Sequence, residues 1–160
     1  MNDTSAAITR ATLATGVSDF LWACVLSMAV YGSTFARLWQ GVASVPFGAR
    51  AIDGGPGWVA VGIVMHFVVA LAWSTMLVAL VRFVPAVQVA MHSTAGAVGV
   101  ALVYGPLIWV AMSLVVVPAL AHRAVPVNMR WWIQLAGHFC FVGLPMVLAA
   151  RSILVTAPTK

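Results

Sequence analysis

Four long apolar runs dominate this chain and limit what it can fold into. A helix needs about 20 mostly apolar residues to cross the roughly 30 Å of a bilayer core, and runs of about this length or more occupy residues 17–35, 58–83, 91–120 and 130–155. The runs are continuous rather than alternating, so they predict helices and not membrane-spanning strands. We therefore expect an all-α membrane protein, a four-transmembrane-helix bundle that forms a single domain over residues 1–160.

The charge content excludes a soluble domain. Only 7% of the residues are charged and 63% are hydrophobic, whereas an average soluble domain is roughly 25% charged and 45–50% apolar. The eight Lys and Arg residues are scattered singly near the ends of the apolar runs, and a nucleic-acid binder would cluster them on one face. We expect the lipid bilayer as the main partner, a homo-oligomer or a larger membrane complex as a further one, and no nucleic acid.

The connection between the first two spans is too long and too apolar for a simple loop. Within residues 36–57, Arg37 and Gln40 share one flank of a helix, with Trp39 and Val42 opposite. This pattern predicts an interfacial amphipathic helix in the plane of the headgroups. Trp39 would then be one of the aromatic anchors at the membrane boundary.

The arrangement of basic residues bears on the orientation of the bundle. Four spans place both termini on one side, and each side of the membrane then carries four basic residues, so the positive-inside rule gives a tie. The polar N-terminal tail and the short turn at Arg82 favour cytoplasmic termini.

Short motifs that are distributed along nearly the whole chain can be compared with those of known membrane-protein families. They are Trp39–Ser44, Gly54-Gly55, Gly62, Met65–Phe67, Tyr104-Gly105, Gly137–Phe139 and Val142–Pro145. In this order they resemble a family of small four-span bacterial inner-membrane proteins without an assigned function. The resemblance implies a multi-pass helical protein of the bacterial inner (cytoplasmic) membrane, and it implies no reaction.

Two histidines are predicted to face each other inside the bundle. His66 and His138 each lie about eight residues into a span that enters from the same side, which is roughly 12 Å deep. A bis-histidine haem b between the helices would fit this placement, and soft Met and Cys donors would suit Cu(I). The alternative is that each imidazole bonds to a neighbouring helix, for example His66 to Ser27 and His138 to Ser113.

A second polar group is predicted near the opposite membrane face. Asp19 opens span one, Arg82 ends span two, His92 opens span three and Arg151 ends span four. One interpretation is an access point for a substrate or a proton, lined by Asp19 and His92. The other is helix-end chemistry, in which an acid complements a helix N-terminus and arginines complement C-termini.

The sequence lacks a catalytic constellation. It has no phosphate loop, no GxSxG or HExxH motif, and no pair of acids suited to acid–base catalysis, which favours a non-enzymatic role. Three hypotheses follow for its function. They are an accessory subunit or self-associating bundle, a b-type haem or metal-binding electron carrier that uses His66 and His138, and a small-molecule or ion permease formed by an oligomer.

Overall fold

Seven helices make up the part of the chain that the computed structural model describes, which is residues 3–151 and 154. The helices are α1 (Asp3–Val30), α2 (Phe35–Phe47), α3 (Ala49–Asp53), α4 (Gly57–Phe83), α5 (Pro85–His92), α6 (Thr94–Ala121) and α7 (Met129–Ala150). Helices α1, α4, α6 and α7 are long and apolar enough to cross a membrane. The predicted all-α fold with four spans is confirmed, and α2 is the helix expected between spans one and two.

Helix α1 differs most from the prediction. It begins at Asp3 rather than near residue 17, and it ends at Val30 rather than at residue 35. Hydroxyl groups in its polar first half bond to the helix itself, as when Thr9 donates to the Ser5 carbonyl at 2.9 Å. Such bonds let a helix continue through polar residues. The helix ends just before Gly32, whose φ of +65° is left-handed and suits glycine.

The other span boundaries are closer to expectation. Span two matches α4 within one residue. Span three matches α6 within three residues, and α5 precedes it in the connection from span two. The two helices are separated at Ser93, whose hydroxyl caps α6 by accepting from the Gly96 amide at 2.9 Å. The fourth span begins after Asn128, which caps α7, and its predicted end at residue 155 lies outside the described residues.

The spans pack around α1 and α7. Helix α1 packs against both α4 and α7, and α6 packs on α7. Helices α4 and α6, both described over their full length, do not pack closely on each other, although the Tyr104 hydroxyl donates to the Trp73 carbonyl at 2.8 Å. Helix α2 packs on α4 and on the C-terminal end of α6, so it covers the gap between these two spans.

Glycines allow close approach between α6 and α7 and between α2 and α4. A Cβ on Gly105 of α6 would overlap the His138 carbonyl of α7, and Gly143 of α7 lies equally close to the backbone of Ala101. Small residues of this kind let helix backbones approach in membranes. In the same way, Gly62 of α4 lies directly against the backbone of α2.

The outer surface of the bundle is apolar. On α1, Leu13, Val17, Leu21 and Val25 are all exposed and lie four residues apart, so they form one stripe. Exposed large apolar residues also cover α4 and α6. Soluble monomers rarely expose apolar patches larger than a few hundred Å², so this surface suits lipid chains and a multi-pass membrane protein.

The fold places residues 50 and 86 on opposite sides of the membrane, because α4 lies between them. We expect an impermeant maleimide to label only one of two single-cysteine variants, Arg50→Cys or Ala86→Cys, in intact cells. Both variants would carry alanine at Cys24 and Cys140, and both should react after permeabilisation. Labelling of both sites from outside intact cells would contradict the four-span topology.

Candidate functional site

A partly open cavity of about 330 Å³ lies between the helices of the bundle, and α1, α2, α4, α6 and α7 all contribute to its walls. Its volume falls in the range of about 300–1,000 Å³ that is typical of small-molecule sites. Most of the lining side chains are apolar. The polar side chains that line it are Thr15, Asp19, His66, Gln134 and His138.

The structure brings His66 and His138 to the same cavity. Each lies nine residues beyond the first residue of its helix, Gly57 for α4 and Met129 for α7, which is a depth of about 14 Å from the same side. Asp19 lines the same cavity and lies 3.8 Å from His66. Three titratable side chains from three helices therefore share one layer of the bundle.

His66 is held by two groups on α1. Its Nε2 lies 2.9 Å from the Gly16 carbonyl oxygen, and because a carbonyl only accepts, Nε2 carries a hydrogen. Its Nδ1 faces Oδ2 of Asp19 at 3.8 Å. The rings of Trp39 and Phe67 stand edge-on to the imidazole, with centroid distances of 5.3 and 5.2 Å. The ring is thus fixed in orientation.

Asp19 is an acidic side chain in the interior of a span. It lies eleven residues before the end of α1 at Val30, about 16 Å from the side where the histidine-bearing helices begin. Within the described residues its carboxylate accepts no hydrogen bond, and the 3.8 Å separation from His66 is longer than a hydrogen bond. Ionisable side chains inside a span are costly and mark functional sites by default.

His138 presents a hydrogen-bond acceptor. Its Nδ1 lies 2.8 Å from the carbonyl oxygen of Gln134 in the same helix, so Nδ1 carries the hydrogen and Nε2 of the neutral ring accepts. The side-chain oxygen of Gln134 accepts from the indole of Trp22 at 3.0 Å, which leaves the amide NH2 group to donate. An acceptor and a donor thus lie one helical turn apart on α7.

Two π-helical turns contribute residues to the cavity wall. They are Met112–Val116 in α6 and His138–Gly143 in α7, and the first residue of each lines the cavity. Turns of this kind are frequent at functional sites, because the extra residue redirects the side chains. The Thr15 hydroxyl donates to the Val142 carbonyl at 3.1 Å, which ties the second of these turns to α1.

The histidines as placed do not form a bis-histidine haem site. Iron needs a free ring nitrogen from each ligand, but Nε2 of His66 is bonded to Gly16 and its Nδ1 faces Asp19. The space beside Gly62, one helical turn before His66, is filled by the backbone of Trp39. In the described part of the chain, no group of three or more His, Cys, Asp or Glu side chains is placed to hold a metal ion.

The predicted cluster of Asp19, Arg82, His92 and Arg151 does not come together as one unit. Asp19 lies sixteen residues into α1, about 24 Å along the helix from its start. Arg82 instead donates to the Thr4 hydroxyl at 2.7 Å, and Arg151 donates to the His92 carbonyl at 3.2 Å. These last contacts join helix ends, whereas Asp19 belongs to the cavity. The sequence placed Asp19 near the membrane face because hydropathy put the start of α1 close to residue 17, whereas the helix begins much earlier.

Sequence reasoning also missed two parts of the site. Trp39, expected among the headgroups, is only 1% exposed and stacks on Phe20 with ring centroids 4.6 Å apart. Gly16 contributes only its backbone carbonyl, which no side-chain pattern reveals. The expected bond from His66 to Ser27 was wrong, because the earlier start and end of α1 bring Gly16 to this level instead.

Comparisons with known proteins give no relative from which a function can be transferred. No family model matches the chain, and no curated protein or solved structure matches it. The fold and the cavity define a multi-pass membrane protein with an interior site of ligand size. The chemistry of that cavity is what points to a function.

Proposed function

We propose that this chain is a non-enzymatic membrane protein that holds a small, mainly apolar molecule in its interior cavity. It would act as a homo-oligomer or as an accessory subunit of a larger membrane complex. The observation that supports the proposal is the convergence of Asp19, His66, Gln134 and His138 in one otherwise apolar cavity. Few, well-placed polar groups in apolar walls are typical of small-molecule sites.

The polar groups of the cavity suit binding better than covalent catalysis. A nucleophilic enzyme needs a hydroxyl or thiol beside a base. The hydroxyl that lines the cavity, that of Thr15, donates to the Val142 carbonyl, and neither cysteine is among the described lining residues. The imidazole of His138 and the amide of Gln134 instead offer an acceptor and a donor to a bound molecule.

The location and the orientation of the chain in the membrane are also part of the proposal. We place the chain in the bacterial inner membrane with both termini in the cytoplasm. The family resemblance supports the first assignment, and the polar N-terminal residues and the short connection after Arg82 support the second. The orientation can be read from the maleimide labelling described above, since the accessible cysteine identifies the outer side.

Transport by an oligomer is the second candidate function. It is favoured by Asp19, an intramembrane carboxylate without a hydrogen-bond donor in the described structure, because such groups mark ion and substrate pathways. The pathway would not pass between Asp19 and His92, which lie in different parts of the bundle. Flux of a substrate into proteoliposomes would support this candidate over a purely accessory role.

Native mass spectrometry of the protein released from detergent micelles tests the proposed cavity ligand. We expect a bound small molecule on the wild type and its loss from Val69→Trp, because Val69 lines the cavity and an indole would fill it. The matched control is Val68→Trp, since Val68 is 56% exposed on the outer face of the same helix. Absence of the adduct from the wild type, or equal occupancy in the two folded variants, would contradict the proposal.

A further inference from the structure

The geometry of His66 and Asp19 favours one proton on the pair. Because Nε2 of His66 donates to the Gly16 carbonyl, a neutral imidazole would turn the lone pair of Nδ1 towards Oδ2 of Asp19 at 3.8 Å. Two acceptors face each other favourably only if one of them is protonated. With one proton on either the carboxyl or the imidazole, the pair has no net charge.

Few other charges face this pair. The titratable side chains that line the cavity are Asp19 from α1, His66 from α4 and His138 from α7, while the described lining residues of α2 and α6 are apolar or aromatic. No Lys or Arg side chain is among the described residues that line the cavity. If the proton leaves, the carboxylate of Asp19 is left without a compensating charge inside a span, which is unfavourable.

The walls around Asp19 are suited to an organic cation. Trp73 and Trp109 line the cavity, and indole faces attract cations, more strongly where water is excluded. Hard metal cations need six or more oxygen ligands, whereas Asp19 is the one carboxylate in the described lining. One negative charge among aromatic and aliphatic walls therefore matches a monovalent cation with an apolar body.

We propose that the ligand class of this cavity is a small, apolar, monovalent organic cation, which binds at Asp19 in exchange for the proton of the Asp19–His66 pair. The inference rests on the proposed function, since it names the ligand of the same cavity. In the exchange the cation enters, the proton leaves to bulk water, and Asp19 remains ionised beside a neutral His66. The occupied and the protonated site both have no net charge, so neither state leaves an unpaired charge in the membrane.

This exchange fixes the sign of the pH dependence. Protons and cations compete for Asp19, so the cation binds more weakly as the pH falls. For one displaced proton, the dissociation constant rises about tenfold for each pH unit on the acidic side. A neutral ligand of the same shape displaces no proton, and its binding should not depend on pH in this way.

Isothermal titration calorimetry of the detergent-solubilised protein with two isosteric probes provides the test. The probes are benzyltrimethylammonium and neopentylbenzene, which differ by N⁺ in place of a quaternary carbon. We expect the cation to bind the wild type at least tenfold more tightly at pH 8 than at pH 6, with release of about one proton in weakly buffered solution. Asp19→Asn should weaken cation binding at least tenfold and abolish its pH dependence, while it still binds neopentylbenzene.

The two probes separate the failure of this inference from that of the proposed function. If neopentylbenzene binds the wild type but the cation does not, or if Asp19→Asn binds the cation as tightly as the wild type, the inference is overturned and the cavity remains a ligand site. If neither probe binds, both are overturned. A pH dependence that persists in Asp19→Asn would assign the proton to a histidine of the cavity, His66 or His138, independently of Asp19, and would also overturn the exchange at Asp19.

Discussion

Replacing Gly105 by alanine is expected to destabilise the bundle by about 1–3 kcal/mol, because an added Cβ has no space between α6 and α7. The atom it would meet is the backbone carbonyl of His138, which cannot move aside as a flexible side chain would. The helices must separate, and the bulkier Gly105→Leu should prevent the native packing. Unfolding in dodecylmaltoside with increasing mole fractions of dodecyl sulfate, followed by circular dichroism, measures the change in unfolding free energy.

Gly99→Ala is the matched control on the same helix, because no atom lies within 4 Å of a Cβ built at Gly99. Alanine is the better helix former by up to about 1 kcal/mol, so this variant should be as stable as the wild type or slightly more so. Equal destabilisation by the two substitutions would show that α6 and α7 do not meet at Gly105.

Gly62→Leu is the second substitution with a large expected effect, and it should detach α2 from α4 without unfolding the spans. A side chain at this position would overlap the backbone carbonyl of Trp39. The side chains of Arg37 in α2 and Arg50 in α3 are already exposed, but cleavage needs a locally unfolded backbone. Detached from α4, this segment should unfold more often, so we expect trypsin to cleave there at least tenfold faster than in the wild type. When local opening precedes cleavage, a tenfold faster cleavage corresponds to a decrease of about 1.4 kcal/mol in the free energy of opening.

Two controls show whether faster proteolysis results specifically from loss of the contact between α2 and α4. Gly57→Ala, also on α4, places its Cβ in open space and should leave the cleavage rates unchanged. Arg123 is exposed in the connection between α6 and α7, so its cleavage should be similar in all variants and serves as an internal standard. Unchanged cleavage at Arg37 and Arg50 in Gly62→Leu would mean that α2 does not dock on α4.

The parts of the fold that could be predicted from sequence depend on local quantities. The limits of α4 follow from the apolar run that forms it, and they agree within one residue. The common level of His66 and His138 follows from counting residues at a fixed rise of about 1.5 Å, because α4 and α7 begin close to where the apolar runs begin. Neither result needs knowledge of how the helices pack.

The position of Asp19 could not be obtained in the same way. Hydropathy marks where a helix enters lipid, whereas its ends are determined by hydrogen bonds, such as that from Thr9 to Ser5. Because α1 begins and ends earlier in the sequence than predicted, the residues of α1 that lie level with His66 differ from those expected. As a result, Gly16 and Asp19 contact the imidazole, where Ser27 was expected.

The burial of Trp39 shows a second limit. An amphipathic pattern indicates which face of a helix is apolar, but it does not indicate whether lipid or protein covers that face. The apolar face of α2 turns towards the cavity, where Leu38 and Val42 line the wall. The glycine at position 62 admits this approach, and its role becomes visible only once the two helices are seen in contact.

The position of α2 has a consequence for the order in which the protein is assembled. During synthesis α2 leaves the ribosome before α4 and α6, the helices on which it packs. It therefore has no docking surface until the second span is in place, and it cannot complete its contacts until the end of the third span has emerged. The wall that α2 contributes to the cavity is thus completed only after three of the four spans have been synthesised.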